Sequence, residues 1–302
     1  MNVGFIGLGA MGLPMAKRVL SAGYKMYTTF HRRREPAQEL GSMGAEFLQT
    51  PGEVAQAADI VITIVPADAE LKNTIFGKTG ILSGFSNGKV LIEMTTGTAL
   101  AMREVDEAIR AKGGSVLDAP VSGGTPAAEQ GTLTIMVGGD EALLERCRPL
   151  LQAMGTRIVR VGEVGQGKVI KIVNQVMAAI HLLTIGEAFA LGIKSGADPA
   201  ILYEVIKTSS GYSKMMDLRL PGFLLEDSFK PGFKLDLMTK DVNLALESAK
   251  ALNTPLLLTS VVAQVFAAVS AAGKGAEDFS VAAQFVAALA GANLSQSKTK
   301  SA

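Results

Sequence analysis

Lys171, Asn174 and Gln175 stand at i, i+3 and i+4 in the run Gly165-Gln166-Gly167-Lys168-Val169-Ile170-Lys171-Ile172-Val173-Asn174-Gln175, so in a helix they share one face. A lysine near the positive end of a helix and withdrawn from water has its ammonium form disfavoured, which moves its pKa toward neutrality. Such a group can donate a proton to the alkoxide formed when a hydride reaches an aldehyde, and can remove it in the reverse direction. On spacing alone, a solvated helix lysine is the commoner occupant of such a position, and both readings stand at this point.

A second constellation is Asp118-Ala119-Pro120-Val121-Ser122-Gly123-Gly124-Thr125 at the end of an expected strand. Ser122 offers a hydroxyl, while Gly123 and Gly124 offer unobstructed backbone N–H donors, a concavity suited to a carboxylate. The plainer alternative is a tight loop whose glycines relieve strain, with Asp118 bracing it.

The third lies at the N-terminus, where the apolar run Val3-Gly4-Phe5-Ile6 enters Gly7-Leu8-Gly9-Ala10-Met11-Gly12 and then the helix-forming stretch Leu13 to Leu20. A strand, Gly-x-Gly-x-x-Gly and a helix in that order form a dinucleotide site. Gly7 allows the tight turn, Gly9 lets the backbone approach a pyrophosphate, and Gly12 lets the helix pack on the strand with its positive end toward the phosphates. An NAD-specific site places an acidic side chain at the end of the second strand, but this chain has Phe30-His31-Arg32-Arg33-Arg34. Guanidinium groups pair with a 2′-phosphate, so NADP(H) is the preferred cofactor and NAD(H) the alternative. Arg32 and Arg33 are the expected contacts, with His31 against the adenosine pocket; the plainer alternative for Arg32, Arg33 and Arg34 is a solvated helix start, a role that at least one of them is expected to have. No His, Cys, Asp or Glu set has metal-ligand spacing, so no metal is expected.

These residues need a scaffold, and the pattern supplies one. Strands are expected at Tyr24–Phe30, Ala45–Leu48, Ile60–Val65, Val90–Met94, Ser115–Leu117, Leu133–Val137 and Arg157–Val161, with helices between them, three of which start at Pro51, Thr98 and Asp140. This βαβ rhythm implies an α/β fold, a doubly wound and mostly parallel sheet with its ligand crevice at the carboxyl ends of the strands. Past Gly167 no strand-like run follows. We therefore expect a dinucleotide-binding domain over 1–163, an all-helical substrate and oligomerisation domain over 164–293, and a polar tail over 294–302.

The 302 residues are 48% hydrophobic, enough to bury two cores. With 29 basic and 28 acidic side chains the formal charge is +1, so nucleic acid is not an expected partner. The lone Cys147 fits a reducing compartment, and with no leader before a strand that begins at residue 3 a cytoplasmic protein is expected. Val169 to Ile193 is apolar enough to mimic a membrane span. Lys171, Asn174, Gln175, His181 and Glu187 interrupt it, which points instead to a helix buried among protein helices and to a homodimer or homotetramer.

Taken together, these motifs resemble those of the β-hydroxyacid dehydrogenases, over nearly the whole chain and in the same order. Phe5-Ile6-Gly7-Leu8-Gly9-Ala10-Met11-Gly12-Leu13-Pro14-Met15-Ala16 is similar to the family's cofactor signature, and Asp118 to Gly124 to its substrate signature. Lys171 falls at the catalytic lysine, and Lys240-Asp241 matches the pair near nicotinamide and substrate. The resemblance implies that Ser122, Gly123 and Gly124 hold a substrate carboxylate, that Lys171 handles the proton and that Asn174 orients the substrate. It also implies that Gln175 and Lys240 border the substrate, that Thr96 and Lys240 meet the nicotinamide end, and that Val65 and Pro66 meet the adenosine side.

Asn174-Gln175 is similar to the pairing in tartronate semialdehyde reductases, whereas many relatives have Asn-Asn. Ser209-Ser210-Gly211-Tyr212-Ser213 instead resembles the corresponding stretch of the hydroxymethylglutarate enzymes, whose dicarboxylic substrate would call for a cation where Tyr212 stands; Arg219 could supply that charge, although a solvated helix arginine is the commoner case. The expected reaction is hydride transfer between NADP(H) and a small 3-hydroxy acid or semialdehyde carboxylate, tartronate semialdehyde first. A 3-hydroxyisobutyrate or 2-(hydroxymethyl)glutarate dehydrogenase, an imine reductase and a non-catalytic NADPH-binding module are the alternatives.

Overall fold

The computed structural model describes residues 1–31 and 33–295. Its strands are β1 (Asn2–Ile6), β2 (Lys25–Thr28), β3 (Glu46–Phe47), β4 (Ile60–Thr63), β5 (Val90–Glu93), β6 (Ser115–Asp118), β7 (Val121–Ser122), β8 (Leu133–Gly138) and β9 (Gly155–Gly162). Every residue of β4 and β5 is buried, the mark of strands covered by helices on both faces. The sheet order is β3-β2-β1-β4-β5-β6-β8-β7, with β9 pairing β8. From β3 to β6 all pairings are parallel, and β8 then runs antiparallel to both β6 and β7.

The order reverses direction at β1 and β4, so the turns that follow these two strands flank the switch point where doubly wound sheets bind ligands. Helix starts follow the local chemistry. Thr50, Thr98 and Asp140 each cap a helix by accepting from a backbone N–H three residues on, and Pro51 occupies the first turn. Gly23, at φ 86°, ends the Gly12–Ser21 helix.

The chain divides into two compact units, Met1–Ile172 and the residues from Val173 onward. The division falls inside one 29-residue helix, Gln166–Lys194. The expected boundary at 163/164 marks the change from strand to helix pattern. The first turns of that helix, however, bond to the sheet, and this assigns them to the first unit. The second unit is helical, with Leu182, Phe189, Leu235, Phe266 and Phe279 in its core. The Gln166–Lys194 and Leu257–Lys274 helices are long and apolar enough to cross a membrane by length and composition, and both contribute side chains to this protein core.

Candidate active site

The N-terminal turn separates its three glycines by cause. At Gly7, φ is 102° and a Cβ would collide with the Ile64 carbonyl oxygen. A Cβ on Gly12 would strike the Gly7 carbonyl oxygen and come within 2.9 Å of Ile64 Cγ2. Protein packing accounts for both. Gly9 differs, since a Cβ there would have no atom within 4 Å. Open space over an exposed glycine fits close approach by a ligand. Gly12–Ser21 begins without a side-chain cap and without an acidic residue in its first turn, so its positive end fits a pyrophosphate. Leu8 and Met11 pack partly on the core while Ala10 is exposed, which leaves this turn anchored from beneath and open above.

At the end of β2, Phe30 stacks on Phe47 with centroids 4.9 Å apart, and the Arg34 guanidinium lies 5.1 Å from the Phe30 ring centroid. His31 and Arg33 are exposed; Arg32 lies outside the described residues. Beyond β4, Val65 is half-buried with its N–H donating to Thr95 Oγ1 at 3.0 Å, and Pro66 is exposed. Thr96 follows Thr95 after β5 and is half-buried. The glycine turn, His31 and Arg33, Val65-Pro66, Thr96 and Ser122 therefore all follow the carboxyl ends of β1, β2, β4, β5 and β6.

The expected substrate loop contains a short strand, β7, with Ser122 opposite Thr134 of β8. Gly123 and Gly124 have φ of 136° and 68°, so the backbone itself demands glycine here. Ser122 and Gly124 are half-buried and Gly123 is exposed. Glycines that the backbone conformation requires and partial exposure to solvent thus coexist at one place.

Behind this loop lies a buried ionic cluster that the sequence reading did not identify. Lys168 and Glu93, 1% and 0% exposed, form an ion pair. The Lys168 ammonium also donates to the Thr95 carbonyl at 2.6 Å, and its backbone N–H donates to Asp118 Oδ2 at 2.9 Å. Burial pushes the Asp118 carboxyl up to about 6, against the opposing pull of Lys168. Asp118 braces the loop, one of the two roles considered for it. Glu93 could have been found as a carboxylate within the otherwise apolar Val90–Met94 run, since a charge on a strand buried on both faces needs a partner. Lys171 lies one turn beyond this anchor and is 7% exposed.

In the second unit, Asn174 Nδ2 donates to Gln175 Oε1 at 3.1 Å, and Gln175 Nε2 donates to Asp241 Oδ2 at 2.6 Å. Lys240 Nζ is 2.9 Å from Asp241 Oδ1. One buried carboxylate thereby links Gln175 and Lys240, two residues expected near the substrate. Arg219 is neither a solvated arginine nor a cation open to a ligand. It is paired with Asp278 at 3.1 Å and lies 4.8 Å from the ring centroids of both Phe223 and Phe279. Nearby, Tyr203 and Tyr212 donate to the two oxygens of Asp217 at 2.9 and 2.6 Å. Among the described residues no group of three or more His, Cys, Asp or Glu could hold a metal ion.

Residues 2–162 match the NAD binding domain of 6-phosphogluconate dehydrogenase, and residues 165–286 match the NAD-binding domain of NADP-dependent 3-hydroxyisobutyrate dehydrogenase. The 2-(hydroxymethyl)glutarate dehydrogenase of Eubacterium barkeri is 38% identical over 279 residues, which is 92% of each chain. This chain belongs to the β-hydroxyacid dehydrogenase family. Within that family, the 2-hydroxy-3-oxopropionate reductase of Escherichia coli K12 is 36% identical over 94% of this chain and 96% of its own. Mycobacterium tuberculosis 3-hydroxyisobutyrate dehydrogenase, solved with L-serine, superposes with a TM-score of 0.87 at 31% identity, covering 94% of this chain and 98% of that one. As a β-hydroxyacid dehydrogenase the protein is an NAD(P)-dependent oxidoreductase acting on a CH–OH group.

Proposed function

We propose that this enzyme reduces tartronate semialdehyde, or a similarly small semialdehyde carboxylate, with NADPH, as a cytoplasmic homodimer or homotetramer. The observation that carries the reading is a lysine only 7% exposed, one turn beyond a helix start bonded to the sheet, in a chain with the family's motifs in order. When bound, NADPH supplies the hydride that reaches the carbonyl carbon. Lys171 gives its proton to the carbonyl oxygen as that oxygen gains charge, and takes it back in the oxidative direction. Ser122 and the amides of Gly123 and Gly124 receive the substrate carboxylate. Asn174, held by Gln175, orients the substrate, and Lys240, held by Asp241, borders it.

A small substrate is favoured over a dicarboxylic aldehyde because Arg219 is committed to Asp278, while Tyr212 turns its hydroxyl to a carboxylate. NADPH is favoured over NADH by the exposed Arg33 within a run that carries no acid between Phe30 and Arg34. Self-association is supported by the exposed apolar side chains Val173, Met177, Leu257, Leu258 and Val261.

A panel of semialdehydes and 3-hydroxy acids, assayed with NADPH and NADH in parallel, tests the substrate and cofactor together. The highest kcat/KM is expected for tartronate semialdehyde with NADPH; a higher value for 2-formylglutarate or with NADH overturns the respective half. Lys171→Ala should lower kcat by on the order of 10²–10⁴-fold while NADPH affinity stays within about twofold.

A further inference from the structure

We infer that the buried Lys168–Glu93 pair is a positioning device, which sets the register of the long helix against the ends of β5 and β6 and thereby places Lys171 for proton transfer. The inference rests on the catalytic reading of Lys171. All of the atoms involved belong to the first compact unit.

An ion pair with 1% and 0% exposure is an expensive way to join a helix to a sheet, since apolar side chains of similar volume commonly pack such an interface at least as well. Direction is what the charges add. The Lys168 ammonium meets the Glu93 carboxylate, the Thr95 carbonyl at 2.6 Å and the Glu93 carbonyl at 3.4 Å, so its three N–H groups have three acceptors in different directions. Glu93 is itself fixed, because its Oε1 accepts from the Thr95 N–H at 2.9 Å and the Thr63 hydroxyl at 3.5 Å. The Lys168 backbone is tied separately, to Asp118 Oδ2. At Gly167 a Cβ would lie 2.7 Å from both Asp118 Oδ2 and the Met136 carbonyl oxygen, so the helix sits against the strands at backbone distance.

Side chain and main chain of one residue therefore clamp the helix to two strand ends. Thr95 immediately precedes Thr96, and Asp118 opens the loop that leads to Ser122, Gly123 and Gly124. Lys171 is one turn further on, about 4.5 Å along the axis at the rise of an α-helix. A displacement at Lys168 is carried by the rigid helix to Lys171, relative to the loops that receive the substrate. Misplacement by about 1 Å can lower a rate by on the order of 10²-fold.

The test compares Lys168→Met, the double variant Lys168→Met/Glu93→Gln, Lys168→Arg and Lys171→Ala by melting temperature, NADPH titration and steady-state kinetics with the best semialdehyde. Lys168→Met should melt lower, because it strands a buried carboxylate, and the double variant should regain most of that loss. Its kcat should nevertheless stay at least about tenfold below wild type with NADPH affinity within about twofold, whereas Lys168→Arg, which keeps the cation, should come within about threefold. A double variant that turns over at the wild-type kcat overturns the inference. Should the double variant not fold, Lys168→Arg against Lys168→Gln carries the comparison, and equal kcat values overturn it. Retained activity in Lys171→Ala would instead remove the catalytic reading itself, whatever Lys168 does.

Discussion

Gln175 donates its side-chain N–H to Asp241 across 2.6 Å, and the second oxygen of that carboxylate lies 2.9 Å from the Lys240 ammonium. With Gln175 5% and Asp241 1% exposed, this bond joins two helices of the second unit inside its protein interior. A glutamine spans the distance while its own oxygen receives Asn174. Asparagine, one methylene shorter, keeps the amide but cannot reach as far. Gln175→Asn should therefore lose about 2 kcal/mol of stability, as expected for a hydrogen bond to a charged group, and raise the substrate KM more than it lowers kcat. Urea unfolding and initial-rate kinetics check both, and an unchanged KM would remove Gln175 from the positioning of Asn174.

Asp118 makes stability depend on pH. Its carboxyl is raised from 3.8 to about 6 in the fold, with burial as the leading cause, so the folded protein holds this proton more tightly than the unfolded chain. Stability from this group is thus greatest below the unfolded value and declines as pH rises toward the folded value, by about 3 kcal/mol in all. In Asp118→Asn that decline is absent. Its unfolding free energy relative to wild type should increase by about that amount between pH 4 and pH 7, as urea titrations across the range would reveal; parallel curves would contradict the burial argument.

The sheet and its helix starts were legible because the signals are local. Val90–Met94 reads as a strand from its own residues, and Thr98 and Asp140 announce their helices by side chains that cap the next turn. The two-residue strand β7 was not legible, since Val121-Ser122 has no periodicity of its own and becomes a strand only by pairing with Ile135 and Thr134. In the site, the glycine turn and the Lys171 face depend on spacing within a few residues. Lys168 and Glu93 are 75 positions apart, and only the fold makes them partners. Arg219 fails for the same reason, because the Asp278 that neutralises it lies far along the chain.

The N-terminal glycines should separate in their effects. Gly12→Ala places a methyl group against the Gly7 carbonyl oxygen, which belongs to the backbone and cannot swing aside. It should lower stability by about 1–3 kcal/mol, as overpacking does. Gly9→Ala meets no protein atom within 4 Å, so its melting temperature should remain within about 2 °C of wild type. If Gly9 is kept open for the pyrophosphate, the same variant should bind NADPH at least about tenfold more weakly. Thermal melts paired with NADPH fluorescence titration distinguish packing from binding, and tight NADPH binding by Gly9→Ala would count against the pyrophosphate assignment.

Arg219 provides the converse case, a conspicuous cation whose burial assigns it to the fold. Asp278 accepts from the backbone N–H groups of Gly232, Phe233 and Ser280 as well as pairing with Arg219, so it gathers two chain segments around one charge. Burial pushes the Arg219 pKa down while Asp278 opposes that shift, and guanidinium stays charged because its ordinary value is so high. Removing it leaves Asp278, 0% exposed, with its countercharge gone. Arg219→Ala should cost about 3–5 kcal/mol. If Arg219 served a distal carboxylate, the variant would selectively lose activity on dicarboxylic semialdehydes. With Arg219 committed to Asp278, the ratio of kcat/KM between mono- and dicarboxylic substrates should stay within about twofold of wild type when measured well below the melting temperature, however much stability is lost.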